Sequence, residues 1–419
     1  ANLNGTIGGS DVSLKLSVDE SNLNNIFSYL DTNHIIQILN GNFQGNVELL
    51  GSLSSPKFFG AAKIENPIAK LPLFCKDEIS TRTILVTIQD DEIRIIPNVY
   101  KVKNREKISA EAVIYMNKWM LDHIEASVCT LQNEFVKGGL DIPEFKGWGD
   151  VAFDVEIYYE DYVVQVDGNI YGENVDFSSG MTNLSTLNSR KNKPKNPIFV
   201  CTDLDLRFGT HVKINFEPLL RCILVPNTKM RVVVDQLANQ YQLLGDISIK
   251  SGDIAYLNRN FYIKTGKIIF NSEDIANPMI TLTAETREKD EKGENVRIIL
   301  SVENQYLESL TPKISSMPAK SEAELRTLLG DIIMADAENA GNFLLAAGDY
   351  AIQSAIFRKA ENMLRDLMNF DIFSLRTNIL QNTMKYGASN QNYKAITPAS
   401  LLDNTTLYIG KYLTSAIYF

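Results

Sequence analysis

Through most of the first 310 residues, apolar and polar side chains alternate with period two. A chain so patterned can bury one face only as strands. Val151, Phe153, Val155, Ile157 and Tyr159 share one face of such a strand, with Asp154, Glu156 and Glu160 on the other. Val296, Ile298, Leu300 and Val302 stand in the same way against Arg297 and Ser301. Turn residues such as Gly245, Gly252 and Gly266 divide the runs at short intervals, the mark of a sandwich, a barrel or a solenoid. An internal match favours an array. Leu53, Pro56, Phe58 and Gly60 after Gly51 have the spacing of Leu140, Pro143, Phe145 and Gly147 after Gly138.

Two places break the period. Ser21 followed by Leu23, Ile26, Phe27 and Leu30 reads as a capped helix before Gly41. Ser321-Glu-Ala-Glu324 reads as a capping box opening a second helical region through Leu325, Leu328 and Leu329. A longer helix is expected from Ala337 to Leu367, closing one end of the β-structure. Its most apolar window, Phe343 to Phe357, contains Asp349 and Gln353 and is too short to cross a bilayer. Phe177 to Asn196, with Arg190, Lys191, Lys193 and Lys195, reads as a polar insertion.

The expected fold is therefore mainly β: an elongated, curved sheet or solenoid-like groove, with helices near the start and a helical segment near the C-terminus. The expected organisation is a strand plus short helix over 1–41, a repeat-built groove over 42–315, helix over 316–370 and terminal strands over 371–419. Ala1 reads as a boundary inside a longer protein, and the pattern breaks off at Phe419 as in a truncated C-terminus.

Charge narrows the partners. A net charge of -10 and a pI near 5.1 argue against nucleic acid and against a basic face for anionic headgroups. Lipid contact would run through acyl chains. His34, His123 and His211 lie far apart, and Gly147-Trp148-Gly149 lacks the third glycine of a dinucleotide loop. Asp203 and Asp205 alternate outward with Arg207, as on a wet strand face. Cys75, Cys129, Cys201 and Cys222 have no metal spacing, although a Cys201–Cys222 bridge is open in an oxidising compartment. The reading is a protein without catalytic residues, metal or cofactor.

The last 175 or so residues resemble the C-terminal domain of TamB proteins. The resemblance is carried by Gly245-Asp-Ile-Ser-Ile-Lys-Ser-Gly-Asp-Ile-Ala-Tyr256, by Phe261-Tyr-Ile-Lys-Thr-Gly-Lys-Ile-Ile-Phe270 and by Asn277-Pro-Met-Ile-Thr-Leu-Thr-Ala284. It continues at Ser315-Ser-Met-Pro318, at Ser321 to Gly330, at Asp371-Ile-Phe373 and at Leu407-Tyr-Ile-Gly-Lys-Tyr-Leu413. It implies a periplasmic bridge, anchored in the inner membrane through a missing N-terminal part and meeting an outer-membrane barrel of the TamA/BamA type. It also implies phospholipid moving along a β-lined groove, or alternatively a scaffold that templates outer-membrane proteins.

The groove row expected on that basis begins with Ile247, Ile249, Ile254 and Tyr256, then Phe261, Ile263, Ile268 and Phe270. It continues through Ile280 and Leu282 to Val296, Ile298, Leu300 and Val302. Alternation alone does not separate an open trough from a filled interior; the resemblance favours the trough. Leu407, Ile409, Lys411 and Leu413 share one face of the last strand and are the expected docking edge, the alternative being simple pairing with the preceding strand.

Overall fold

The computed structural model describes residues 2–9, 11–24, 36–72, 74–142, 145–180, 199–217, 220–238, 240–256, 259–271, 277–290, 292–329, 372–376 and 406–410. Twenty-one strands belong to one mixed sheet, and two more form a separate ribbon. The chain divides into two units. The first comprises Ala1–Asn215, Leu224–Ser248 and Ile268–Met279; the second comprises Phe216–Ile223, Ile249–Lys267 and Ile280–Phe419.

In the first unit β1 (Asn2–Gly8), β2 (Asp11–Asn22), β3 (Gln37–Ser52) and β4 (Ser55–Leu71) form an antiparallel meander. The next positions are filled by β5 (Cys75–Ser80), β6 (Thr83–Asp90), β7 (Glu92–Val102) and β8 (Arg105–Asn117). Then come β9 (Met120–Thr130), β10 (Val136–Ile142), β11 (Phe145–Glu160) and β12 (Val163–Gly180). Both β5 and β6 pair with β4 and with β7, and β11 pairs with β9 and β10 in turn. Beyond the tip of the β7–β8 hairpin β5 and β10 meet, Gly138 opposite Cys75 and the Gly139 N–H donating to the Phe74 carbonyl at 3.0 Å. Cys75, Val102, Ile108 and Val136 are buried together there. Two hairpin tips turn without glycine. Lys103–Asn104 and Asp161–Tyr162 each take positive φ at both residues, the twist that a two-residue link between antiparallel strands requires.

β13 (Phe199–Phe208) pairs parallel with β12, Val163 opposite Phe199 through Gly172 opposite Phe208. Antiparallel pairing resumes with β16 (Thr228–Asp235) and β17 (Gln240–Tyr256), after the short β14 (Lys213–Glu217) and β15 (Leu220–Leu224).

The second unit holds most of β18 (Arg259–Phe270) and β19 (Met279–Lys289), followed by β20 (Asn295–Tyr306) and β21 (Lys313–Met317). In β20 every second residue from Val296 to Val302 is buried, as its alternation dictates. One α-helix is present among the described residues, α1 (Glu322–Leu328). Its capping box forms: the Ser321 N–H donates to Glu324 Oε2 at 2.8 Å and the Glu324 N–H to Ser321 Oγ at 3.3 Å. Leu325 and Leu329 are buried, and Arg259 of β18 reaches the Leu328 carbonyl at 3.3 Å.

The helices expected near the start and near the C-terminus are corrected. Ser21, expected as a helix cap, is in β2, opposite Phe43 of β3. The pairing resumes there after a register shift, and the described part of the expected helix is Leu23 and Asn24, helical behind a hydrogen bond from the Asn24 N–H to Asn22 Oδ1 at 2.9 Å. At the other end, the described residues of the segment expected as helix over 316–370 hold the seven residues of α1, preceded over 313–317 by a strand. The remainder of both expected helices, including Ala337 to Leu367, lies outside the described residues. So does 181–198, although Phe177 and Ser178, expected in the polar insertion, belong to β12.

The two matched glycine–proline segments are both hairpins, but not equivalent ones. The first turns after Ser52, with Gly51 opposite Pro56; the second turns between Ile142 and Phe145. The bend has moved three residues along the motif, so the shared spacing is not a shared turn.

Candidate functional site

Pairing register, rather than sequence spacing, assembles the most extensive apolar surface of the first unit. Leu14 of β2 stands opposite Leu49 of β3, which stands opposite Phe58 of β4. Ala62 of β4 faces Val86 of β6, and Ile88 of β6 faces Ile93 of β7. Ile93 is opposite Ile114 of β8, itself opposite Ile124 of β9. Val128 of β9 leads to Val155 of β11, and Ile157 leads to Val166 of β12. Ile170 then faces Leu206 of β13, Leu204 faces Val232 of β16, and Val232 faces Leu243 of β17. Paired residues share a face, so these side chains form one row running across the strands.

Most of the row is half-buried rather than sealed. Val151, Phe153, Val155, Ile157 and Tyr159 all remain partly exposed, while Asp154, Glu156, Tyr158 and Glu160 of the same strand are exposed on the reverse. The reverse face is ionic. Lys15 and Glu48 pair at 2.6 Å, and Arg231 holds Asp203 through two hydrogen bonds of 2.7 and 2.5 Å. That guanidinium keeps the Asp203 carboxyl below the usual carboxylate range. Glu156 stands opposite Asp167, which stands beside Asp203, so three carboxylates line up across β11, β12 and β13.

The expected groove residues of the C-terminal half divide differently. Ile247, Ile249, Phe261, Ile263 and Ile268 are buried, as are Leu282, Val296, Ile298, Leu300 and Val302. Ile254, Tyr256, Phe270 and Ile280 are half-buried. In β17 the buried positions run Ile247, Ile249, Asp253, so Ile254 and Tyr256 fall at the alternate positions. In β18 they change from odd numbers (Phe261, Ile263) to an even one (Ile268) across Lys264 to Lys267. Gly266 sits at that change. A Cβ there would come within 2.9 Å of Ile249 and 3.2 Å of Leu282. The sequence does not announce Asp253, a carboxylate buried in the second unit, which adds its charge to the surroundings of Cys222.

Burial, with that carboxylate as a lesser cause, pushes the Cys222 thiol up to about 12, so it stays protonated and inert. All four cysteines are free thiols, Cys201 and Cys222 included. His123, expected on a strand surface, is stacked on Tyr115 at 4.2 Å and hydrogen-bonded to Asp122 at 2.8 Å. No group of three or more His, Cys, Asp or Glu side chains is arranged to hold a metal among the described residues.

Of the expected docking residues, Leu407 and Ile409 lie in β23 (Thr406–Gly410), opposite Leu375 and Phe373 of β22 (Ile372–Arg376). Lys411 and Leu413 are outside the described residues. No described helix is long and apolar enough to cross a membrane.

The family model described as the TamB C-terminal domain matches residues 148–419, and no curated protein matches the chain.

Proposed function

This chain belongs to the TamB family, periplasm-spanning envelope proteins of the translocation and assembly module, and from that premise we propose that its apolar row carries phospholipid acyl chains between the two membranes. The observation that carries this reading is the half-open row from β2 to β17, continuous through the pairing register of the first unit. An acyl chain of about sixteen carbons crossing water would cost on the order of 12 kcal/mol, and an unbroken apolar track removes most of that. The expected groove residues from Ile247 to Val302 are further acyl-chain contacts in this proposal, with Ile254, Tyr256, Phe270 and Ile280 the half-buried ones among them. In keeping with a transport and assembly module, the residues named here bind and guide rather than catalyse.

The partner in this reading is an outer-membrane barrel of the TamA/BamA type, with Leu407, Ile409, Lys411 and Leu413 at the docking strand and an inner-membrane anchor in the rest of the protein. A second reading, protein assembly by strand templating, draws on the β22–β23 ribbon, which pairs outside the large sheet.

The test is in-cell photo-crosslinking. A reactive residue at Val155 or Val166 captures phospholipid on this proposal, while one at Glu156 or Asp167 on the reverse face does not. Equal capture on both faces, or none on either, defeats it. Val155→Asp stops transfer, because an unpaired carboxylate in an acyl path carries a multi-kcal desolvation penalty.

A further inference from the structure

Three hairpin tips lie side by side at one rim of the first unit: residues 53–54 between β3 and β4, Asp91 between β6 and β7, and 118–119 between β8 and β9. Trp119 leaves the third tip and reaches the first. Its indole N–H donates to the Leu53 carbonyl at 2.8 Å, and its ring meets Phe58 edge-on at 5.7 Å between centroids. Between the strands that carry Phe58 and Trp119 lie β6 and β7, so a flat sheet would hold them three strand spacings, about 14 Å, apart. A tryptophan side chain does not span that distance unless the sheet curls towards the face it crosses. That face is the apolar one, because Phe58 stands opposite Leu49 in the row. Phe58 stands opposite Asp90, so the span crosses at the β6–β7 tip, and Ile88 and Ile93, paired with each other, are the residues of the row next inside it on those strands.

The contact is also loosely held. Trp119 is 51% exposed, its neighbours Met120 and Leu121 are exposed, and Leu53 is exposed at the other end. One hydrogen bond and one ring edge fasten it, whereas strands elsewhere in the unit are held by whole ladders. An indole suits the task, since its body is apolar enough to lie on hydrocarbon while its N–H needs a single acceptor.

We propose that Trp119 is a displaceable strap at the rim of the apolar row, closing it over Phe58 and beside Ile88 and Ile93 until an acyl chain pushes it aside. The inference rests on the acyl-chain reading above and adds to it the place and the residue at which the row is gated.

The test uses the full chain carrying a photo-reactive residue at Ile88, next inside the strap, or at Val166, remote from it. Each is mixed with vesicles of palmitoyl-oleoyl phosphatidylcholine. Trp119→Ala raises lipid capture at Ile88 roughly fivefold and leaves Val166 unchanged, a factor equivalent to the about 1 kcal/mol that one hydrogen bond contributes. Trp119→Phe, which keeps the ring edge and loses the N–H, gives an intermediate yield. Equal yields at Ile88 in all three proteins, with Val166 still capturing lipid, overturn the strap and leave the acyl-chain reading standing. No capture at either position in any protein overturns both.

Discussion

Ser321 and Glu324 satisfy each other's backbone N–H groups at the start of α1, and this pair was readable directly from the order of four residues. Ser321→Ala should cost the helix about 1 kcal/mol, seen as faster amide exchange at Leu325 and Leu329 with the strands unaffected. The same corner sets a pH dependence. Hydrogen bonds from Ser321 hold the Glu324 carboxyl below its ordinary range, and the Lys320 ammonium, 2.9 Å away, does so for Asp290. A depressed folded pKa stabilises above the unfolded value, and the contribution is lost as pH falls through the folded value. Protection of α1 should therefore hold at neutral pH and decline only below the ordinary carboxylate range, and Glu324→Gln should flatten that decline. Burial gives a further contrast. Ile298, 0% exposed, should lose about 2–5 kcal/mol on substitution by alanine, whereas half-exposed Val155 should lose clearly less in the same denaturant titration. The sequence put both residues on apolar faces. It could not rank them, because exposure depends on what packs above the strand.

At the scale of elements, alternation located the strands well, and β11 and β20 present the faces their residues announce. What it could not supply was partners and phase. The row across the first unit depends on which strands are neighbours and in what register, information held by the turns and ladders. Phase fails for a related reason. In β17 the buried positions keep one parity through Asp253, and in β18 they change it near Gly266, so the single row read from Ile247 to Phe270 divides. The start of the early helix was misplaced, because Ser21 stays in the β2 ladder and the described helical residues begin at Leu23. The terminal ribbon allows a clean test of pairing. Ile409 lies opposite Phe373, and Ile409→Pro removes a donor and should melt the β22–β23 ribbon while α1 and β20 keep their exchange protection. Loss of partner pull-down together with the ribbon would support docking through this element.

At the scale of the whole molecule, the two units treat hydrocarbon differently. The first leaves its apolar row half-open, and the second buries every second side chain from Leu282 to Thr286 of β19 and from Val296 to Val302 of β20 almost completely. The period-two pattern is similar in both, so an open track and a filled interior are indistinguishable in sequence; only the family resemblance favoured the trough reading. The carboxylates of Glu156 and Asp167 on the reverse of that row have a colloidal consequence. A surface greasy on one side invites stacking of copies in solution, and a back carrying like charges makes back-to-back stacking repulsive and puts charge against hydrocarbon in any back-to-front encounter. Light scattering by the isolated chain should stay low at about 0.1 M salt, where fields reach about 10 Å, and rise near 1 M, where they reach about 3 Å. Neutralising Glu156 and Asp167 as amides should bring that rise to lower salt. The reverse face thus works as a built-in dispersant, and it lets the protein keep hydrocarbon within reach of water without precipitating on itself.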